Sequence, residues 1–224
     1  MRKLIQGIVE FRRTVLPTYR ETFARLALGQ RPDALFIACS DSRVAPNLFA
    51  STEPGDLFVV RNVGNLIAPC GEDGLSTHDE SEGAAIEFAL LTMPVNDVIV
   101  CGHSSCGAMS ALLTGVLPEG APNLASWLRH GRRALDALVT QSPMDPSLAK
   151  ADQLSQQNVL EQLSNLHSYP LVRRRLADGR LRVHGWWFDI ATAGVHAYEP
   201  ALRRFVPLDE AEAETILARL EPQG

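Results

Sequence analysis

No apolar run in this sequence approaches the roughly 20 residues that a membrane span requires, so no transmembrane segment is expected. No export signal is expected either, because Glu10, Arg12 and Arg13 interrupt the basic start Met1-Arg2-Lys3 before an apolar signal core can form. Positive charge is in short supply: a formal net charge of −5 argues against general nucleic-acid binding, where a basic face is expected. Cysteine is scarce as well. Four cysteines at uneven spacing in 224 residues do not make a disulfide scaffold, and they point to a reducing, cytoplasmic setting where thiols serve as metal ligands or core residues. Internal repeats and low-complexity segments are also absent, which leaves the alternation of strand and helix as the organising pattern.

That alternation runs through a chain long enough for one α/β domain with a sizeable core. Residues 3–28 carry Leu4, Ile8, Phe11, Val15, Phe23 and Leu26 at helical spacing, broken into two pieces by Pro17. Such an amphipathic arm must bury its apolar side on the domain itself or on a second subunit. Strands are expected at 34–38, 57–60, 97–101 and 181–188, with a hairpin partner at 195–198. Helices are expected at 44–50, 84–93, 106–116, 124–139, 153–166, 171–176 and 209–220. The fold class is therefore α/β: a mainly parallel sheet of about four strands plus an edge strand, flanked by helices. It forms a single domain, with an amino-terminal arm over 1–30, an α/β core over 31–200 and a carboxyl-terminal helix over 201–224. The polar stretch 69–83 reads as a surface loop, His78 within it as a solvated histidine, and Cys101 as a small buried apolar residue.

Two motifs stand at strand ends. Cys39-Ser40-Asp41-Ser42-Arg43 follows the first strand, and Gly102-His103-Ser104-Ser105-Cys106-Gly107 follows the third. In an open parallel sheet the carboxyl edge is where ligands bind, so these loops can bring Cys39, His103 and Cys106 to one point. Two sulfurs and one imidazole make the donor set of a catalytic zinc site with an open fourth position. Asp41 could close that position, but a two-hydrogen-bond salt bridge from Arg43 would hold it ionised and turned away, free to accept a hydrogen bond from the attacking oxygen. The same residues also suit a plainer assignment, with Cys39 and Cys106 as loop thiols, His103 at a helix start, and Asp41 or Ser42 as a helix cap.

The pairing of C-S-D-S-R with G-H-S-S-C-G, with Arg61-Asn62-Val63-Gly64-Asn65 between them, resembles the β-class carbonic anhydrases over nearly the whole chain. The last third, with Gln157-Asn158-Val159-Leu160 and His184-Gly185-Trp186-Trp187-Phe188-Asp189, is most similar to the cyanobacterial, carboxysome-associated branch and its bacterial relatives. The resemblance implies one Zn2+ per subunit on Cys39, His103 and Cys106, an Asp41–Arg43 catalytic dyad, and reversible hydration of carbon dioxide by attack of a zinc-bound hydroxide. It implies substrate-binding positions at Gln30, Phe58, Val63, Phe88 and Gly102, with Gln30 and part of the apolar lining supplied by the neighbouring subunit. A homodimer is then the minimum unit, with tetramers or larger assemblies open. A noncatalytic bicarbonate site built from Trp, Arg and Tyr in another branch corresponds here to Phe36, Arg61 and Phe188, so that site is not expected. Carboxysome proteins are conceivable partners, but recruitment by a carboxyl-terminal extension is not expected in a chain that stops at Gly224.

Other readings use the same residues. A zinc site of this kind can hydrolyse carbonyl sulfide or carbon disulfide, and a silent assembly module can keep a structural zinc. A phosphatase or redox reading of Cys39 is weaker, since C-x-x-x-R is too short for the usual phosphate loop and no C-x-x-C pair is present.

Overall fold

A computed structural model describes residues 1–77 and 80–220; His78 lies outside the described residues. Four strands, β1 (Ala34–Cys39), β2 (Leu57–Asn62), β3 (Asp97–His103) and β4 (Arg182–Asp189), pair in parallel in the spatial order β2-β1-β3-β4. Every residue of β1, and every residue of β3 after Asp97, is buried, which is why both read as unbroken apolar runs rather than alternating ones. Two antiparallel strands, β5 (Gly194–Glu199) and β6 (Arg204–Pro207), extend the sheet beyond β4. The expected hairpin partner is β5, and the structure adds one further antiparallel strand, β6, at the edge. β6 spans four residues and ends in proline, so it carries almost no periodic signal.

Side chains alternate across β1. Leu35 and Ile37 face a core shared with Ile86, Ala89 and Leu90 of α4 (Ser81–Thr92) and with Val159 and Leu166 of α8 (Lys150–His167). Phe36 and Ala38 face the other layer, where Phe36 packs on Phe49 and Trp186, and Phe49 stacks on Phe188 at 4.6 Å. Phe49 belongs to α3 (Pro46–Phe49). Cys101 is buried in that second layer, as expected, and burial pushes its thiol pKa up.

The helix expected over 124–139 is two helices, α6 (Pro122–Leu128) and α7 (Arg132–Thr140), separated by a tight turn at Arg129–Gly131. A Cβ on Gly131 would stand 2.9 Å from Leu112 of α5 (Gly107–Thr114), so the glycine that interrupts the helix also admits its neighbour. At the amino terminus, α1 (Arg2–Glu10) and α2 (Leu16–Leu26) are joined through a widened turn at Phe11–Val15, just before Pro17. Proline has no N–H for the ladder and its ring crowds the preceding turn, so the helix widens there instead of breaking. No residue of α1 or α2 is buried. Among the described residues, no helix is long and apolar enough to cross a membrane.

Candidate metal centre

The strand order places the crevice. From β1 the chain crosses to β2 on one side, and it returns to β3 on the other, so the connections leaving β1 and β3 diverge at the carboxyl edge. Cys39 is the last residue of β1 and His103 the last of β3. Cys106 caps α5 three residues later, after Ser105 has turned the chain with a left-handed φ of 54°. The ligand atoms of Cys39, His103 and Cys106 all lie within 4.8 Å of one another, and all three residues are buried.

The donor set fits a zinc ion. His103 Nδ1 is bonded to the Ser104 carbonyl at 2.9 Å, which assigns the proton to Nδ1 and leaves Nε2 as a lone-pair donor. Nε2 is buried without a hydrogen-bond partner. Cys39 is held well below an ordinary thiol, first by the hydrogen bond from Cys106 and then by the Gly64 N–H, against the opposing effect of burial. Cys106 is pushed up, first by the Cys39 sulfur it faces and then by burial. Two sulfurs so placed share a proton that a cation would release, and an orphaned imidazole nitrogen completes a set that zinc prefers.

Around the trio the loops are fastened from several sides. The Gly64 N–H donates to Cys39 Sγ at 3.3 Å, and the Gly64 carbonyl accepts from Asn158 at 3.1 Å. Ser155 Oγ accepts the His103 N–H at 3.3 Å and donates to the His103 carbonyl at 2.8 Å. Arg61 donates to the carbonyls of Cys39, Asp41 and Val44, at distances down to 2.7 Å. With its guanidinium spent on the 39–44 loop, Arg61 is a structural bracket.

Arg43 meets Asp41 through two bonds, Nε to Oδ1 at 2.9 Å and Nη2 to Oδ2 at 2.8 Å. These bonds hold the Asp41 carboxyl far below the usual carboxylate range, outweighing burial, and Asp41 in turn raises Arg43. Val63 follows Asn62, which is level with Cys39, and is 43 % exposed beside the centre, its carbonyl bonded by Trp127 at 2.7 Å. Phe58 stands four residues back along β2, about 13 Å from that level. There it pairs with Phe88 of α4 at 6.0 Å, and Phe88 is 49 % exposed. Gln30 is exposed in the connection from α2 to β1. Gly102 is buried where a Cβ would meet Val159 at 2.8 Å, so its role within the chain is the close packing of α8 on β3. Sequence reasoning gave Ser155, Asn158 and Asp152 no role at the centre, because polar residues on a helix ordinarily mark its solvent face.

The sequence model of the carbonic anhydrase family matches residues 34–195. Carbonic anhydrase of Pseudomonas aeruginosa is 41 % identical over 94 % of this chain and 93 % of its own length. That of Synechocystis is 41 % identical over 92 % of this chain and 74 % of its own. The solved β-carbonic anhydrase CcaA superposes with a TM-score of 0.85 at 40 % identity, covering 94 % of this chain and 92 % of that one. One of two β-carbonic anhydrases described as tetrameric, from Sordaria macrospora, superposes with a TM-score of 0.73 at 27 % identity over 88 % of this chain and 95 % of that one.

Proposed function

This chain belongs to the β-carbonic anhydrase family, and on that premise we propose that it converts carbon dioxide and water reversibly to bicarbonate and a proton at a zinc ion held by Cys39, His103 and Cys106. The observation that carries the reading is the partnerless, buried Nε2 of His103 beside two sulfurs, with Asp41 engaged by Arg43 rather than turned among them. Zinc, when bound, supplies Lewis acidity that lowers the pKa of water from about 15.7 to near 7.

The protein's own residues do the positioning. Asp41, kept ionised by Arg43, is an acceptor-only carboxylate that takes a hydrogen bond from the attacking oxygen and so aims its free lone pair at the carbon of carbon dioxide. Val63 gives the crevice an apolar wall suited to a small nonpolar gas. Gln30, Phe58 and Phe88 complete the pocket of a neighbouring subunit, since Phe58 and Phe88 stand well back from the centre of their own chain.

That arrangement requires at least a homodimer. Support comes from the arm, where Leu4, Ile5, Ile8, Val9 and Phe11 are exposed on helices that bury nothing within one chain. A tetrameric relative is compatible with further pairing of dimers. Four unpaired thiols fit a reducing, cytoplasmic compartment.

Stopped-flow hydration of carbon dioxide by purified, zinc-quantified protein tests the reading. Rapid turnover proportional to zinc content is expected. Absence of turnover at full zinc occupancy would sink it, and turnover of carbonyl sulfide in the same preparation would then select the hydrolase alternative.

A further inference from the structure

Resting on the assignment of Asp41 and Arg43 as the working pair, we propose that Asp152 is a positioning residue that holds this pair in place through the backbone of Ser105. Asp152 Oδ1 accepts the Ser105 N–H at 2.6 Å, across 47 residues of sequence. On the other side of the same residue, the Ser105 carbonyl accepts from Arg43 Nη2 at 3.1 Å. The Nη2 atom that reaches Ser105 also reaches Asp41 Oδ2 at 2.8 Å. One continuous chain of hydrogen bonds therefore runs from a carboxylate on α8, through the turn between His103 and Cys106, to the carboxylate beside the metal centre.

The geometry explains why such a brace is needed. Arg43 is 49 % exposed on its side chain and Asp41 only 17 %, so the arginine is the looser member and needs a second anchor. That anchor is the carbonyl of Ser105, a non-glycine residue with a φ of 54°. A left-handed backbone at serine costs free energy, and it persists where surrounding bonds determine it. Asp152 supplies one of these bonds from a rigid base. It lies in the first turn of α8, whose next residues Gln153, Leu154 and Ser155 are buried, and Gln153 ties the start of the helix to the Leu148 carbonyl at 2.7 Å.

A plainer role for an acidic residue in a first turn is to favour the helix dipole. Two substitutions separate the roles because they change charge and reach in opposite ways. Asp152→Asn keeps an acceptor oxygen at the same place and removes the charge. Asp152→Glu keeps the charge and displaces the oxygen by about one carbon–carbon bond, ~1.5 Å. Positioning predicts that Asn retains wild-type behaviour while Glu and Ala do not.

The primary measurement is solvent exchange of the Arg43 Nε–H by NMR in the full-length protein, which reads the Asp41–Arg43 pair whether or not the protein turns over carbon dioxide. Exchange is expected to accelerate roughly fivefold in Asp152→Ala and Asp152→Glu, the equivalent of one ordinary hydrogen bond, and to stay at the wild-type rate in Asp152→Asn. The zinc-loaded variants are expected to follow the same order in kcat/KM, with losses of about tenfold. Wild-type exchange in both Asp152→Ala and Asp152→Glu would overturn the proposal, as would impairment of Asp152→Asn with Asp152→Glu unaffected. Should Asp152→Ala fail to fold, the Asn and Glu pair decides alone.

Discussion

Around Cys39, the loop carbonyls are gathered by Arg61, the sulfur takes the Gly64 N–H, and the neighbouring His103 backbone is clasped by Ser155, all within one chain. In the arm, by contrast, Leu4, Ile8, Val15 and Phe23 face the outside, and α1 and α2 bury no residue. A helix that buries none of its residues takes little stability from packing within its own chain. Internal hydrogen bonds therefore fix the centre, whereas the arm depends on apolar burial that a second subunit would provide. Metal retention and assembly should consequently be separable by mutation.

The largest effect is expected from Cys106→Ser, which removes a buried ligand. Zinc content by plasma emission should fall below about a tenth of the wild-type value, and turnover by about a thousandfold, with assembly unchanged. Full zinc occupancy in this variant would remove Cys106 from the ligand set. Next comes Asp41→Asn, which keeps the site's shape: zinc should remain stoichiometric while kcat/KM drops by about 10²–10⁴. Wild-type turnover there would leave Asp41 without a part in the reaction.

On the arm, Ile5→Asp with Ile8→Asp should have the converse signature. Light scattering should report a smaller particle and kcat/KM should fall about tenfold or more, because under the proposed dimer Gln30, Phe58 and Phe88 would no longer reach a partner's pocket, yet zinc should stay bound. A dimer of undiminished mass would show that the arm packs elsewhere.

The smallest effect is expected far from both regions, at Asp97. Burial opposes its ionisation, but Arg182 and His184 outweigh it and its pKa is lowered in the fold. A depressed carboxylate contributes stability that is fully present above its unfolded pKa of about 3.9 and is lost as pH falls through that value towards the folded one. Asp97→Asn should therefore cost about 1–2 kcal/mol in urea unfolding at pH 7, and the difference from wild type should shrink below about pH 4. A difference that persists at low pH would mean that the pair contributes nothing through charge.

What the sequence made legible follows the same division. The four parallel strands could be read because each apolar run ends in a polar loop, and the trio because Cys39 and His103 close two of those runs. β6 could not be read, since four residues ending in Pro207 have no period to detect. The break at Gly131 depends on the approach of Leu112 from another helix, which local sequence does not encode. Ser105 and Asp152 meet across 47 positions, and nothing in either residue announces the other.

Along α8, Asn158 bonds the Gly64 carbonyl, Gln162 accepts the Ile67 N–H at 2.8 Å, and Asn165 donates to the Ile67 carbonyl at 2.9 Å. A helix docked by leucines alone can slide by a turn, about 5.4 Å, and find equivalent contacts. This one cannot, because a slip would leave every one of those amides buried without a partner, at roughly 1–3 kcal/mol each. The ladder works as an address: it spells out which residue of the 62–68 loop belongs beside which residue of the helix. Folding therefore delivers Gly64 to the Cys39 sulfur in a single register.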